Sequence, residues 1–362
     1  MRVTIIAGAR PNFMKIAPII KAVRKKKSEG ANLHFRLVHT GQHYDNALSE
    51  TFFKELEIPQ PDINLEVGSG SQAAQTANIM IRFEEELLRN PADVVMVVGD
   101  INSTMACSIV AKKLNVQLVH VEAGIRSFDL TMPEEINRMV TDAIADHFFT
   151  TSHFANENLK KNGVDGTRIH FVGNTMIDTL YSNLNKFRKP EVWDRHHLAE
   201  HKFFVLTLHR PNNVDDTETL STILSCIVTA SKNIPVVFPA HPRTVNNLKK
   251  LKIDLKNIIV VEPMGYLEFM YLVKNSKAVI TDSGGVQEET TVLGVPCLTL
   301  RKNSERPETI TVGTNKLIPE IHHLPDEMEG ILNGIWKKGG IPELWDGKTS
   351  ERIVAKLLEI YR

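Results

Sequence analysis

The chain has 362 residues, of which 42% are apolar and 24% are charged, an ordinary composition for a soluble globular protein. This length exceeds one typical domain and predicts two. Lysine plus arginine and aspartate plus glutamate both number 43, so the formal net charge is zero and general nucleic-acid binding is disfavoured.

The N-terminal run Met1–Gly8 is apolar but too short to span a membrane, and basic residues follow it at once. It predicts a first buried strand rather than a signal peptide. The three cysteines, Cys107, Cys226 and Cys297, lie far apart without a C-x-x-C pair, so they predict neither a disulfide framework nor a zinc site. We therefore expect a cytoplasmic protein that binds neither a membrane nor a metal.

Short apolar runs alternate with helical patterns in the first half of the chain. Val94–Val98 and Gln117–Val121 are continuous runs, as in strands covered on both faces. Asn12–Lys27 and Ser103–Leu114 have helical patterns. The other strands are predicted at Val3–Ala7, Leu33–His39, His147–Thr150 and Ile169–Val172. This alternation is typical of a doubly wound parallel sheet of the α/β class.

A second series of strands begins near Lys202. These strands are predicted at Phe203–Leu208, Val236–Pro239, Ile258–Val261, Lys277–Thr281 and Leu298–Leu300. The polar segment 181–201 lacks a strand pattern and is the candidate hinge. The predicted organisation is an N-terminal Rossmann-like domain over 1–180, a C-terminal one over 202–345, and a helix over 346–362 that can pack back on the first domain.

The stretch Thr281–Glu289 predicts a strand end, a tight glycine turn and a helix start. Backbone N–H groups converge at such a turn, and the helix N-terminus adds partial positive charge. Gly284 and Gly285 let the backbone approach a phosphate with no Cβ in the way. Glu289, one helical turn later, can accept hydrogen bonds from a ribose diol. The stretch therefore predicts a site for a nucleotide diphosphate.

Two other glycine motifs do not fit a cofactor. Gly68-Ser69-Gly70 lacks the third glycine and the preceding strand of a dinucleotide site. Gly347-Lys348-Thr349 has Pro342 where a P-loop requires its first glycine. Both are interpreted as loops, so neither NAD nor ATP hydrolysis is indicated and no cofactor is predicted.

Polar residues follow several predicted strands at the point where each ends. Arg10, Asp100, Glu122 and His209 all occupy such positions. The carboxyl edge of an open parallel sheet is where ligands bind. Two carboxylates, an arginine and a histidine at that edge therefore favour a functional site.

Some of the polar residues also have a structural interpretation. Asp100 could cap the helix that begins near Ser103. In Pro133-Glu134-Glu135, a proline followed by acids is an ordinary helix start, and Arg138 could pair with either acid. His241 could be a structural loop histidine.

Short motifs run in a single order along almost the whole chain. They are Gly8–Pro11, Lys15–Pro18, Thr40–His43, Val98–Thr104, His120–Arg126, Pro133–Arg138, Leu208–Arg210, Thr281–Glu289 and Glu305–Glu308. As a set they resemble the non-hydrolysing UDP-N-acetylglucosamine 2-epimerases. The resemblance implies the GT-B fold of many nucleotide-sugar glycosyltransferases, with two Rossmann-like domains facing a central cleft. It also implies a UDP-sugar substrate, a homodimer and no redox cofactor.

The resemblance assigns one group of residues to UDP and another to the chemistry. The glycine turn would take the diphosphate, Glu289 the ribose, and Phe269 would pack on uracil. The implied UDP-binding residues are Arg10, His209, Phe269, Ser283, Gly284, Gly285, Glu289 and Arg306. The implied catalytic residues are Lys15, Asp100, Glu122, Glu134 and His209.

The implied activity interconverts UDP-N-acetylglucosamine and UDP-N-acetylmannosamine for surface polysaccharide precursors. Inverting C2 requires breaking a C–H bond that is not next to a carbonyl. Elimination achieves this when a base removes the C2 proton while UDP leaves C1, which gives a 2-acetamidoglucal, and UDP then adds back. Carboxylates suit the proton transfer and cations suit the departing diphosphate. Which carboxylate serves each face stays open.

Related activities share parts of the pattern. Thr40–Asp45 and Met132–Glu134 also resemble the epimerases acting on UDP-2,3-diacetamido-uronic acids. The nucleotide site alone would serve a GT-B glycosyltransferase or a non-catalytic nucleotide-sugar sensor. The acids Asp100, Glu122 and Glu134 favour the epimerase, because a transferase usually needs one base and an acceptor groove.

The resemblance also raises a regulatory UDP-N-acetylglucosamine site, which some bacterial members have. In those members another glutamine follows the glutamine–histidine pair, and an arginine lies near the later glycine–glutamine turn. Here Tyr44-Asp45 follow the pair, and Ser71 precedes the later glutamine. The candidate regulatory residues are Gln42, His43, Gln72 and His241.

Overall fold

The computed structural model describes residues 1–42, 53, 55–251 and 253–362, apart from the Arg10 side chain. These residues divide into two compact units. The first comprises Met1–Ser182 with Glu343–Arg362, and the second comprises Asn183–Pro342. Each unit is built on a parallel sheet flanked by helices, which confirms the predicted α/β class.

The sheet of the first unit has the strand order β3-β2-β1-β4-β5-β6-β7, and neighbouring strands are parallel. Its strands are β1 (Arg2–Ala7), β2 (His34–His39), β3 (Ile63–Asn64), β4 (Val94–Val98), β5 (Gln117–Val121), β6 (His147–Thr150) and β7 (Ile169–Phe171). Every residue of β4 is buried, as its continuous apolar run predicts. The strand order reverses between β1 and β4, so the carboxyl ends of these strands border a crevice.

Helices connect these strands. They are α1 (Arg10–Ser28), α2 (Gln72–Arg89), α3 (Asn102–Lys113), α4 (Pro133–Ile144), α5 (His153–Lys161) and α6 (Thr175–Asn183). Their starts follow local chemistry, since the hydroxyl of Ser71 accepts the Ala74 N–H at 3.2 Å before α2. Pro133 begins α4, and the acids of its first turn complement the helix dipole.

The sheet of the second unit has the order β10-β9-β8-β11-β12-β13, again with parallel neighbours. Its strands are β8 (Phe204–Thr207), β9 (Val236–Pro239), β10 (Ile258–Val261), β11 (Ala278–Thr281), β12 (Cys297–Thr299) and β13 (Asn315–Leu317). Its helices are α7 (Glu191–Arg195), α8 (Pro211–Val214), α9 (Thr217–Ala230), α10 (Pro242–Leu248), α11 (Tyr266–Asn275), α12 (Gly284–Leu293), α13 (Pro307–Thr311) and α14 (Leu324–Leu332). Because β8 and β11 are neighbours, the polar loops that follow them lie side by side.

The last helix, α15 (Thr349–Ile360), belongs to the first unit and packs on α1. The carboxylate of Asp178 accepts the N–H groups of Thr349 at 3.0 Å and Ser350 at 2.6 Å. The buried Trp345 indole donates to the Thr151 carbonyl at 3.0 Å. These contacts fix the start of α15 against the first unit.

The strands predicted at Val94–Val98, Gln117–Val121, His147–Thr150, Val236–Pro239 and Ile258–Val261 have those bounds in the structure. The sequence does not predict β3 or β13, because runs of two and three residues show no periodic pattern. The segment 181–201 holds the end of α6 and all of α7. Among the described residues we find no helix with the length and hydropathy of a membrane span.

Candidate active site

Lys15 and Glu122 meet at the carboxyl edge of the first sheet. Lys15 lies in the second turn of α1, Glu122 directly follows β5, and their side chains form an ion pair. Both side chains are more than nine-tenths buried. A charge this far from water needs its counter-ion, so the two groups hold each other in place.

Gly99 and Glu122 both adopt left-handed backbone conformations beside this pair, each with φ of +70°. A Cβ atom on Gly99 would lie 3.0 Å from Lys15 Nζ, so glycine leaves space for the ammonium group. Glutamate is strained in this region, which indicates that its surroundings hold it there. One restraint is the hydrogen bond from the Glu122 N–H to the Phe149 carbonyl at 2.9 Å.

A buried histidine supports the turn that contains Gly99. His120 Nε2 donates to the Gly99 carbonyl at 2.9 Å, and His120 Nδ1 lies 2.6 Å from Asp142 Oδ1. A carbonyl oxygen only accepts, so Nε2 is the donor in the contact with Gly99. Burial acts to raise the pKa of Asp142, but His120 and the Arg126 guanidinium at 2.6 Å outweigh it and lower that pKa. A buried cluster of charged groups therefore supports the loops that follow β4 and β5.

Asp100 is held by residues of α4. Arg138 Nη2 binds Asp100 Oδ2 at 2.5 Å, and Arg138 Nη1 binds Glu135 Oε2 at 2.8 Å. The Asn137 side-chain amide donates to the Asp100 carbonyl at 2.9 Å. Glu135 in turn accepts the Ser127 N–H at 2.9 Å, so it also shapes the loop before α4. The Asp100 side chain is 22% exposed and can reach a ligand.

The two acids at the start of α4 differ in their surroundings. Glu135 is buried in the network with Arg138, whereas the Glu134 side chain is exposed and lies outside that network. Among the predicted sugar-side residues, direct contact therefore joins Lys15 to Glu122, and Arg138 anchors Asp100.

The candidate regulatory residues lie at different places in the structure. The buried Gln42 side chain accepts the Ser103 N–H at 3.1 Å, so it supports the start of α3. Gln72 accepts from the Asn102 amide at 2.7 Å. His241 is exposed in the second unit. The remaining candidate, His43, lies outside the described residues.

In the second unit, His209 follows β8 and contacts Asp282, which follows β11. His209 Nδ1 lies 2.6 Å from Asp282 Oδ1. The His209 side chain is 61% exposed, whereas the Asp282 side chain is fully buried. The same carboxylate accepts the N–H groups of His209 at 3.1 Å and Arg210 at 3.0 Å, and the Asn213 amide at 3.0 Å. Asp282 therefore organises the whole loop after β8.

The glycine turn has the predicted local structure. Ser283 precedes α12, Gly284 and Gly285 form its first turn, and the Ser283 side chain makes no capping hydrogen bond. A Cβ atom on Gly284 would lie 2.9 Å from Arg306 Nη1, so the guanidinium lies against the turn. Arg306 Nε binds Glu288 Oε1 at 2.6 Å, which fixes that position. The turn presents N–H groups and a cation to a ligand.

Two further arginines surround this turn. Arg301 makes a bidentate ion pair with Glu305, at 2.7 and 2.8 Å, and Arg210 Nη2 lies 3.6 Å from the same carboxylate. With Arg306 and Glu288, the group contains three cations and two anions. Asp282 beside Arg210 adds a third carboxylate, so the charges of the group balance, and its guanidinium N–H groups are what suits an anionic ligand.

Glu289 is a buried acid one helical turn after the glycines. Burial raises its pKa to about 8, the Tyr266 hydroxyl opposes this rise, and the charge of Glu288 adds to it. Glu289 Oε1 accepts no hydrogen bond from the described residues. This oxygen can therefore accept a hydrogen bond from a ligand. Phe269 lies on α11, one turn after Tyr266, and is partly exposed.

Sequence reasoning missed several residues of these networks. Asp282, Asp142, Glu135 and Arg210 all lie within motifs or beside them, yet none is predicted as a site residue. A signal existed for Asp282, because an acid directly after a buried strand and before two glycines is placed at the ligand edge. The side chain of Arg10 lies outside the description, although its backbone begins α1. Within the described residues, no cluster of three or more His, Cys, Asp or Glu side chains could hold a metal.

Known proteins are similar to this chain in sequence and in fold. The family model described as UDP-N-acetylglucosamine 2-epimerase matches residues 25–358. The UDP-N-acetylglucosamine 2-epimerase of Methanocaldococcus jannaschii is 42% identical over 98% of both chains. The UDP-2,3-diacetamido-2,3-dideoxy-D-glucuronate 2-epimerase of Pseudomonas aeruginosa is 39% identical over 88% of both.

A solved structure extends the likeness to the fold. The crystal structure of the Methanocaldococcus jannaschii enzyme in complex with UDP-GlcNAc and UDP has a TM-score of 0.87 and is 42% identical. The match covers 99% of this chain and 100% of that one. This likeness confirms the predicted GT-B fold class. The chain therefore belongs to the UDP-N-acetylglucosamine 2-epimerase family.

Proposed function

We propose that the protein interconverts UDP-N-acetylglucosamine and UDP-N-acetylmannosamine by elimination and re-addition of UDP. The observation that carries this proposal is the pair of acids, Asp100 and Glu122, each held by a cation at the carboxyl edge of the first sheet. A positioned carboxylate is the group that proton transfer at a sugar carbon requires. The family membership supplies the substrate class.

The reaction is balanced without a redox step. A carboxylate takes the C2 proton, the C1–O bond breaks with its electrons going to UDP, and a C1=C2 double bond forms. Re-addition of UDP at C1 and protonation at the opposite face of C2 complete the inversion. Asp100, Glu122 and Glu134 are the proposed proton-transfer groups, and Lys15 fixes Glu122 in place.

The nucleotide half of the substrate fits the second unit. We assign the diphosphate to Ser283, Gly284 and Gly285, where backbone N–H groups and the Arg306 guanidinium converge. Glu289 would accept the ribose hydroxyls and Phe269 would pack on uracil. Arg10, His209 and Arg306 complete the proposed UDP set and would stabilise the leaving pyrophosphate.

A second substrate is favoured by one specific relative. The Pseudomonas aeruginosa epimerase named for UDP-2,3-diacetamido-2,3-dideoxy-D-glucuronate is nearly as similar as the archaeal enzyme. The C3 acetamido and C6 carboxylate groups distinguish the two sugars. Parallel assays with both UDP-sugars will decide between them, with a higher kcat/KM for the true substrate.

We also propose that the protein works as a homodimer in a reducing, cytoplasmic compartment. Apolar side chains are exposed on α2 (Ile81 and Leu88) and on α4 (Ile136 and Met139). A second copy of the chain would cover these side chains, because exposed apolar surface commonly marks an interface. All three cysteines are free thiols, which suits a reducing compartment. Light scattering after size-exclusion chromatography measures the assembly, and a monomer would contradict the dimer.

Proton NMR of the UDP-sugar with enzyme in deuterated water tests the activity. Elimination and re-addition predict deuterium at C2 and growth of the manno epimer without any acceptor. Asp100→Asn and Glu122→Gln should abolish the exchange while UDP binding survives. Turnover that starts only after an acceptor is added would instead indicate a glycosyltransferase.

A further inference from the structure

The geometry points to Asp282 as the residue that positions His209 for the reaction, by holding Nδ1 and leaving Nε2 for the substrate. The inference rests on the proposed function, in which His209 faces the pyrophosphate. Asp282 would not touch the substrate itself, because its side chain is fully buried.

The contacts of Asp282 fix one ring nitrogen of His209. A carboxylate only accepts hydrogen bonds, so the nitrogen 2.6 Å from Asp282 Oδ1 must carry a proton. Burial acts to raise the pKa of Asp282, but the hydrogen bond and charge of His209, with donors from Asn213 and Arg210, outweigh it and lower that pKa. The acid therefore stays ionised and keeps the proton on Nδ1.

The loop around His209 is fixed by the same carboxylate. Both the His209 N–H and the Arg210 N–H donate to Asp282, and the Arg210 side chain donates to the Asp282 carbonyl at 3.2 Å. The Thr207 and Thr281 hydroxyls lie 2.6 Å apart at the ends of β8 and β11, directly before this group. One buried acid thus sets both the backbone and the ring orientation.

This arrangement defines what the ring can do. With Nδ1 bound to Asp282, a protonated ring offers only Nε2–H to the departing pyrophosphate oxygen, and a neutral ring offers only the Nε2 lone pair. Loss of Asp282 would leave ring rotation and the choice of tautomer undetermined.

The test is a double-mutant cycle with Asp282→Asn and His209→Asn, read as kcat for C2 deuterium exchange. We expect each single variant to lower kcat by about 100-fold or more, as for loss of an acid–base group. The double variant should be no slower than His209→Asn alone, because Asp282 acts through His209. If the fold-loss of kcat in the double variant equals the product of the two single-variant losses, the inference is wrong.

A control is Asp216→Asn, which removes a carboxylate from the segment that follows His209 in the chain. Asp216 caps α9 through the Thr219 N–H at 3.0 Å and belongs to neither proposed binding set. We expect its kcat to stay within about two-fold of wild type, as for a surface change away from a site. A 100-fold loss there would show that the segment's fold, rather than His209, limits kcat.

Nitrogen-15 NMR of the wild-type histidines tests the contact between His209 and Asp282 independently of enzyme activity. The chain has 14 histidines, and the signal of His209 is the one missing from His209→Asn. We expect Nδ1 to be the protonated nitrogen of the neutral ring. A proton on Nε2 instead would overturn the inference even in an active enzyme, whereas absent C2 exchange in wild type with Nδ1 protonated would count against the proposed function alone.

Discussion

Lys15 and Glu122 form a buried ion pair although they lie 107 positions apart in the chain, on α1 and after β5. The pair sits where the strand order reverses, next to the glycine that leaves room for the ammonium group. It therefore couples the stability of the first unit to the geometry of a proposed catalytic acid.

Lys15→Met should be strongly destabilising. It removes the cation beside a buried carboxylate, and breaking such a pair from one side costs about 3–5 kcal/mol. Urea unfolding measures the loss, and the double variant Lys15→Met/Glu122→Gln should recover part of it. The matched control is Lys25→Met on the same helix, whose pair with Glu351 is exposed and which should unfold like wild type. Equal losses at both lysines would contradict a special role for the buried pair.

Gly99→Ala should lower kcat more than its effect on folding explains. The new Cβ would lie 3.0 Å from Lys15 Nζ. The alanine backbone would also have to keep a positive φ, which costs about 1–3 kcal/mol. Gly163→Ala is the control, because Gly163 has φ of +83° with open space around it. Both variants should lose stability to heat, and only Gly99→Ala should slow C2 exchange. Similar kcat losses in the two variants would rule out the steric explanation.

Glu289→Gln should stabilise the protein at neutral and mildly alkaline pH. The folded protein keeps a proton on Glu289 up to a pKa of about 8, whereas the unfolded chain loses it near 4.5. Folding therefore takes up a proton between these values, so this group makes stability fall as pH rises through that window. The variant lacks this penalty, which reaches on the order of a few kcal/mol at pH 8.

Unfolding curves in denaturant at pH 4.5, 6 and 8 measure this difference. The advantage of Glu289→Gln should be near zero at the lowest pH and grow at each step. Parallel curves for the two proteins would show that Glu289 has an ordinary pKa. The UDP affinity of the variant should fall mainly above pH 8, where wild-type Glu289 is a carboxylate and accepts ribose hydroxyls more strongly than a neutral amide does.

Gly284→Ala should weaken UDP binding by about 10-fold or more, since even 1.4 kcal/mol changes an equilibrium tenfold. The added Cβ would meet Arg306 Nη1 at 2.9 Å and would also block the approach of a phosphate to the backbone. Gly340→Ala in the same unit is the control, because its Cβ would make only ordinary contacts, the nearest at 3.7 Å. Isothermal titration with UDP compares them, and unchanged affinity in Gly284→Ala would place the diphosphate elsewhere.

Much of the fold follows from local patterns. The buried strands of a parallel sheet are continuous apolar runs, so β4, β9 and β10 could be placed from the sequence alone. The glycine turn could also be placed, because strand, turn and helix are adjacent in the sequence. Short edge strands such as β3 could not, since their pairing depends on neighbours rather than on their own residues.

The partners within the site could not be predicted in the same way. Asp282 and His209 are 73 positions apart, and their contact requires knowing that β8 and β11 are neighbours. Sequence also could not separate Glu134 from Glu135, because either acid suits a helix start. Only the structure shows that Glu135 turns inward to Arg138 while Glu134 faces solvent.

The position of α15 has a consequence for how the chain matures on the ribosome. Asp178 is synthesised early, but the N–H groups of Thr349 and Ser350 that it binds emerge only after residues 183–342 have been made. The second unit is therefore fully synthesised while the first still lacks its last helix. The unit that begins first on the ribosome is therefore the one that is completed last. A nascent chain stalled before residue 349 would carry an N-terminal unit without its last helix.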